Sequence, residues 1–145
     1  MTKVSRIACG IALPILVAMA AGQPVLACES GERVRLDAPV KLSGVLKEGK
    51  GEHEAQGAFR YVYLELDAPL CVAFPPDDAE DEATPQSEES TVSRVQIAGE
   101  AANGDLPVGA HVSVEGTLYG AHTMWHAEDV LIDADGVKPA PASGD

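Results

Sequence analysis

The chain has 145 residues, 23 of them acidic against 10 basic, for a formal net charge of −13. A surface this acidic repels phosphate backbones and anionic lipid, so nucleic acid is excluded as an ordinary partner. The glycines between positions 49 and 57 fit no P-loop spacing, which removes the common nucleotide-binding motif as well.

Residues 1–27 read as a cleaved signal peptide. Lys3 and Arg6 give the positive start, residues 7–21 form an apolar run broken by Pro14, and Val25, Leu26 and Ala27 lead to the cut. The run is too short for a membrane span of about 20 residues, and no other segment suits one, so no transmembrane span is expected. Cleavage after Ala27 leaves 118 of the 145 residues, enough for one domain with a modest core. The product, with 8 basic and 23 acidic residues, carries a formal charge of −15 and is expected in the periplasm or outside the cell. It keeps two of the three cysteines, Cys28 and Cys71. In an oxidising compartment one disulfide between them is the simplest account. The competing account makes Cys28 a lipid-modified lipoprotein N-terminus, although Leu26 fits that signal poorly.

Strand patterns follow in order. Residues 40–47 alternate, with Val40, Leu42, Gly44 and Leu46 on one face and Lys41, Ser43 and Lys47 on the other. Residues 48–57, EGKGEHEAQG, read as an exposed hairpin loop with His53 in its middle. The second strand, 58–66, sets Val62, Leu64 and Leu66 against Tyr61, Tyr63 and Glu65. Tyr61 and Tyr63 thus share a face, either as a stacking platform for a base or sugar or as cover for a half-buried sheet. A short apolar run, 70–74, carries Cys71. Residues 75–90 then hold seven carboxylates, three prolines and no basic residue. They read as a flexible acidic loop, without the spaced ligands and central glycine of an EF-hand calcium site.

Strand chemistry resumes at 91–98, with Val95 and Ile97 inward and Arg94 and Gln96 outward. Residues 100–103 have room for one helical turn. The cleanest alternation is at 112–119, where Val112, Val114, Gly116 and Leu118 oppose Ser113, Glu115, Thr117 and Tyr119. A glycine inside such a strand predicts a bend or bulge. Residues 128–133 give the last strand, and 134–145 read as a disordered tail. The domain is therefore expected over 28–133 as an all-β, five-stranded antiparallel barrel of the OB type, with an open β sandwich or meander as the alternative.

The segments LSGVL at 42–46, YVYLELDAPLCV at 61–72, VQI at 95–97 and VSVEGTLYGAHT at 112–123 resemble a bacterial family of exported small β domains of unknown function. Its members carry a Pro-x-Cys-Val turn and a G-T-L-F-x-A-H-T segment followed by further histidines. The resemblance implies a small β domain and supports a bridge between Cys28 and Cys71; it implies no activity. Here His122 and Thr123 match the segment and His126 falls on one histidine of the later run, whose other positions are replaced.

The chemistry concentrates between strands five and six. In extended structure His122 and His126 point the same way, with Met124 between them and Glu128 at the same parity, so zinc or copper is a conceivable ligand. Trp125 lies on the opposite side, as an interface residue or a barrel cap. Ser113, Thr117 and Thr123 lie near histidines in sequence but occupy no nucleophile elbow, and no catalytic residue is assigned. The expectation is an exported, non-enzymatic binding domain for a protein, small molecule or envelope component. Its expected surface is Tyr119, His122, Thr123, Trp125 and His126 with Tyr61 and Tyr63, and no cofactor is required. The alternative is an envelope metal-binding protein using His122 and His126.

Overall fold

A computed structural model describes residues 27–30, 33–74 and 88–141. Residues 1–26 of the leader and 75–87 of the acidic segment read from the sequence lie outside the described residues. Six strands form one mixed sheet: β1 (Arg33–Arg35), β2 (Pro39–His53), β3 (Gly57–Phe74), β4 (Glu88–Ala98), β5 (His111–Gly120) and β6 (Val130–Pro139). A helical turn at Ala27–Ser30 precedes them, and a 3₁₀ turn at Glu100–Asn103 links β4 to β5. No helix among the described residues is long and apolar enough to cross a membrane.

The hydrogen bonding closes into a ring. β2 pairs with β3, β3 with β4, β4 with β6, β6 with β5, and β5 returns to β2. Two long strands make closure possible, because each serves two neighbours along its length. β2 gives Pro39–Val45 to β5 and Gly44–His53 to β3. β3 pairs with β4 on both sides of a register shift between Glu65 and Leu70. The connectivity is that of the expected OB-like barrel. It is not wholly antiparallel: β4 runs parallel to β6, and the short sixth strand, β1, runs parallel to the end of β3. Residues 33–35 alternate too briefly to announce a strand, and a parallel partner leaves no turn signal beside it.

Inward-facing residues fill the barrel. Leu46, Leu64, Val72, Val95, Val112, Val114, Leu118, Val130 and Ile132 are all fully buried. Each is worth about 1.5–3 kcal/mol over an exposed position. Gly116 sits at the register shift between Glu115 and Gly116 on β5, where a Cβ would lie 2.1 Å from the Asp133 carbonyl oxygen. The mid-strand glycine is therefore a demand of backbone approach, as its sequence position predicted.

Three sequence boundaries move. The glycine-rich segment 48–57 is mostly a paired ribbon rather than a loop, since β2 and β3 stay in register out to His53 and Gly57 with only residues 54–56 in the turn. The last strand runs on to Pro139, pairing Lys138 with Ser113, so the tail expected from Ala134 is strand through 139, and Ala134 itself is buried. Polar residues in 133–138 masked this, because only one side of the strand there meets the core. Finally, β4 begins at Glu88, within the segment read as an acidic loop.

The cysteines are joined, Cys28 to Cys71, across 43 positions. Cys71 is fully buried, and the bond ties the start of the described chain to β3.

Candidate binding cleft and its covering connection

The outer face of the barrel carries a second buried layer. One register row crosses five strands: Lys47, Tyr63, Gln96, Leu131 and Tyr119. Tyr63 and Gln96 are 9% and 7% exposed, and Leu131 is fully buried although its neighbours Val130 and Ile132 face the core. An outward leucine can be dry only if something covers it. The connection between β5 and β6, residues 121–129, folds back onto this row on both sides of Leu131: it is bonded to Gln96, and its histidine rings contact Tyr119.

Gln96 fastens that connection. Its Nε2 donates to the Trp125 carbonyl at 3.0 Å, while its Oε1 accepts from the amides of Ala127 at 2.8 Å and Glu128 at 3.4 Å. A buried amide side chain is tolerated because its donor and acceptor are both satisfied. Glu128 adds a second tie, accepting the Tyr61 hydroxyl at 2.8 Å, with an Arg94 guanidinium nitrogen 4.0 Å away. Burial and this hydrogen bond push the Tyr61 hydroxyl up to about 12, so it stays a donor. Arg94 also lies over the Tyr63 ring, 5.1 Å from its centroid.

The histidines complete a turn rather than an extended pair. The His126 amide donates to the Thr123 carbonyl, and His126 Nδ1 accepts from the amides of His122 at 2.9 Å and Thr123 at 3.3 Å. Burial, with His122 adding to it, holds His126 below the usual histidine range, which agrees with an unprotonated Nδ1. His122 turns its own Nδ1 to the Gly120 carbonyl at 3.1 Å. The two rings meet edge to face with centroids 4.7 Å apart, and both contact Tyr119. Each histidine thus spends Nδ1 on the backbone. Glu128, which parity would have placed with them, is committed to Tyr61. Among the described residues the one close trio of possible metal ligands is Cys28, Cys71 and Glu89, and its sulfurs form the disulfide.

Trp125 is held on the other side of the connection, 46% exposed, edge-on to Phe59 with centroids 5.3 Å apart. Phe59 and Tyr61 follow each other along β3, centroids 6.3 Å apart, and Tyr61 leads on to Tyr63 at 5.8 Å. Across the ribbon stand Gly51 and Gly49. A Cβ on Gly49 would fall 2.4 Å from the Tyr61 ring, and one on Gly51 2.3 Å from the Phe59 ring. The glycines let the rings lie down across the ribbon, an arrangement that protects a glycine strand with a cross-strand aromatic. These rings and Trp125 line a cleft of about 500 Å³, completed by Glu48, Arg60, Val62, Gln96 and Ile97 and by Ala102 and Asn103 of the 3₁₀ turn. A second cleft of about 600 Å³ lies between Phe74, Glu89, Ser90, Gly120, Ala121 and Asp129. It is larger but holds one aromatic ring and two carboxylates, a poorer match to the apolar lining of small-molecule sites.

The residues singled out from sequence therefore divide. Tyr61 and Trp125 line the first cleft, Tyr63 is buried beside Arg94, Tyr119 lies on β5 against the histidine rings, and His122, Thr123 and His126 build the connection. Phe59, Gln96 and Asn103 were missed, while Glu128, read as a possible companion of the histidines, instead accepts from Tyr61. Phe59 shares the parity of Tyr61 and Tyr63, and the Gly49, Gly51 spacing mirrors it two residues at a time, so that pair of patterns was available. Gln96 had no such signal: an outward glutamine on a strand is ordinary until a loop covers it.

Set against known families, residues 94–138 match one described as a domain of unknown function (DUF4431). The matched stretch contains Gln96, the connection it fastens and the parallel β4–β6 pair. No curated protein and no solved structure matches the chain.

Proposed function

We propose that this protein is an exported, non-enzymatic binding domain whose recognition surface is the cleft between Phe59, Tyr61 and Trp125. One observation carries the reading: Gln96 and Glu128 fix the β5–β6 connection so that an exposed tryptophan stands against a row of rings on β3. Holding a half-exposed indole in place costs conformational entropy and exposes apolar surface, which favours a binding role. A cleft of about 500 Å³ lies within the range of small-ligand sites. The face also corresponds, by fold analogy, to the one OB barrels use: the sheet face of their second and third strands, here β3 and β4, and the loops after the first and fourth.

The acidic composition argues against the oligonucleotides that many such barrels bind. A zinc or copper role for His122 and His126 is the second reading, with the two Nε2 atoms as its remaining ring donors. The cleft is preferred because both Nδ1 atoms serve the turn. The disulfide suits an oxidising compartment, which supports export.

Trp125 is the single tryptophan, so its emission reports on the cleft directly. Fractions of a bacterial envelope extract, separated into protein, peptide and polysaccharide pools, are titrated into the protein and into Phe59→Ala. The reading expects at least one pool to shift the emission saturably and Phe59→Ala to lose the response. It is abandoned if no pool moves Trp125 in the unaltered protein.

A further inference from the structure

We infer that the ligand of this cleft is a neutral glycan; the inference rests on the binding reading above and deepens it. The chain is strongly acidic, yet the cleft is not. Its lining contributes one carboxylate, Glu48, and one guanidinium, Arg60, and these are bonded to each other at 2.9 Å. The neighbouring Glu128 carboxylate accepts the Tyr61 hydroxyl and lies 4.0 Å from Arg94. A cationic peptide would find no unpaired carboxylate in the lining, and an anionic polymer would meet the field of a chain with net charge −13. An uncharged ligand avoids both penalties.

The shape of the apolar lining narrows the class further. Gly49 and Gly51 let the Tyr61 and Phe59 rings lie across the ribbon, and Trp125 stands edge-on to Phe59 as a wall. A pyranose ring presents C–H bonds on one face, weakly positive and apolar, that pack against the negative face of an aromatic ring. Its edge presents hydroxyls, which need planar groups able to donate and accept. The Asn103 amide and the Glu48–Arg60 pair stand in the same lining. The Phe59 and Tyr61 rings succeed each other along β3 with centroids 6.3 Å apart, which gives the floor the direction of a chain rather than of a single compact ligand.

The test is calorimetric titration of the full protein with short neutral oligosaccharides of glucose and of N-acetylglucosamine, beside a lysine-rich peptide and a thymidine oligonucleotide. The inference expects saturable binding of at least one neutral series, weakened about tenfold or more by Trp125→Ala, as loss of one stacking partner does. It also expects little change between low and high salt, since no net charge is paired. Asn103→Ala, at an exposed rim position, provides a second variant and should weaken binding while leaving the thermal melt unchanged. Binding of neither neutral series overturns the inference, as does glycan binding that ignores both variants. If the peptide or oligonucleotide instead binds and needs Trp125, the glycan class falls while the cleft stands; if no probe and no envelope pool engages Trp125, both fall.

Discussion

Replacing Gln96 with alanine removes a side chain that bonds the β5–β6 connection at three points. Two of those bonds are well formed, at 3.0 Å and 2.8 Å, and the third, at 3.4 Å, is weak. Net values of about 0.5–1.5 kcal/mol for each good bond put the loss at about 2 kcal/mol. The strand carrying Gln96 is held on both sides by β3 and β6, so this energy should appear as local opening of residues 121–129 rather than as global unfolding. At room temperature about 2 kcal/mol raises the open population roughly 30-fold. Native-state hydrogen exchange at the Ala127 amide reads this directly, and Trp125 emission should move toward that of a solvated indole. Gln96→Met, which keeps the length and loses the bonds, should behave like the alanine variant. Protection of Ala127 unchanged within about twofold in both variants would refute the account of how the connection is held.

Four further outcomes are expected. His126 is held below its ordinary 6.5 in the folded chain, so the unfolded chain takes the proton first. The turn's stability should be full above about pH 6.5 and decline as pH falls toward the lower folded value, seen as reduced protection factors, relative to intrinsic exchange at the same pH, for the His122 and Thr123 amides. His111 is opposite in sign: its Nε2 meets the Asp67 carboxylate at 2.8 Å, and that bond raises its pKa above 6.5. Its contribution should be complete below pH 6.5, vanish as pH rises through the raised value, and be absent in Asp67→Asn, as an NMR titration of His111 would show. Gly116→Ala would drive a Cβ to 2.1 Å from the Asp133 carbonyl oxygen, which as backbone cannot swing aside. A loss of about 3 kcal/mol is expected in urea unfolding, and a loss under about 0.5 kcal/mol would contradict the bulge assignment. Reducing the Cys28–Cys71 bond reopens a loop of 43 positions, worth about 4 kcal/mol by chain entropy, read as the shift in denaturant midpoint with and without reductant.

Much of the barrel was legible because one buried face imposes a period of two. Val112, Val114, Gly116 and Leu118 announced β5, and Val95 and Ile97 announced β4. The glycine at 116 even marked the bulge. The ribbon at 48–57 was misread because Gly49 and Gly51 look like loop residues, whereas their role is to accept the rings of Tyr61 and Phe59 from the partner strand. That relation exists only once the register is known. Reading 121–129 as extended placed His122, Met124, His126 and Glu128 on one side, and the turn made by His126 Nδ1 undoes that parity. Gln96 and Leu131 were hidden for a common reason: the outer face of β4 and β6 is solvent-like in sequence and becomes interior only beneath the connection.

In the proposed function, ligand meets the chain at the aromatic end of β3 beneath Trp125. Amide-resonance mapping during titration with a neutral N-acetylglucosamine oligosaccharide tests it most directly. Shifts should concentrate at Phe59, Tyr61, Ile97, Asn103 and Trp125, the residues that line the first cleft. Shifts centred instead on Phe74, Ser90, Gly120 and Asp129 would move recognition to the second cleft, and an unperturbed spectrum would remove the glycan from the account.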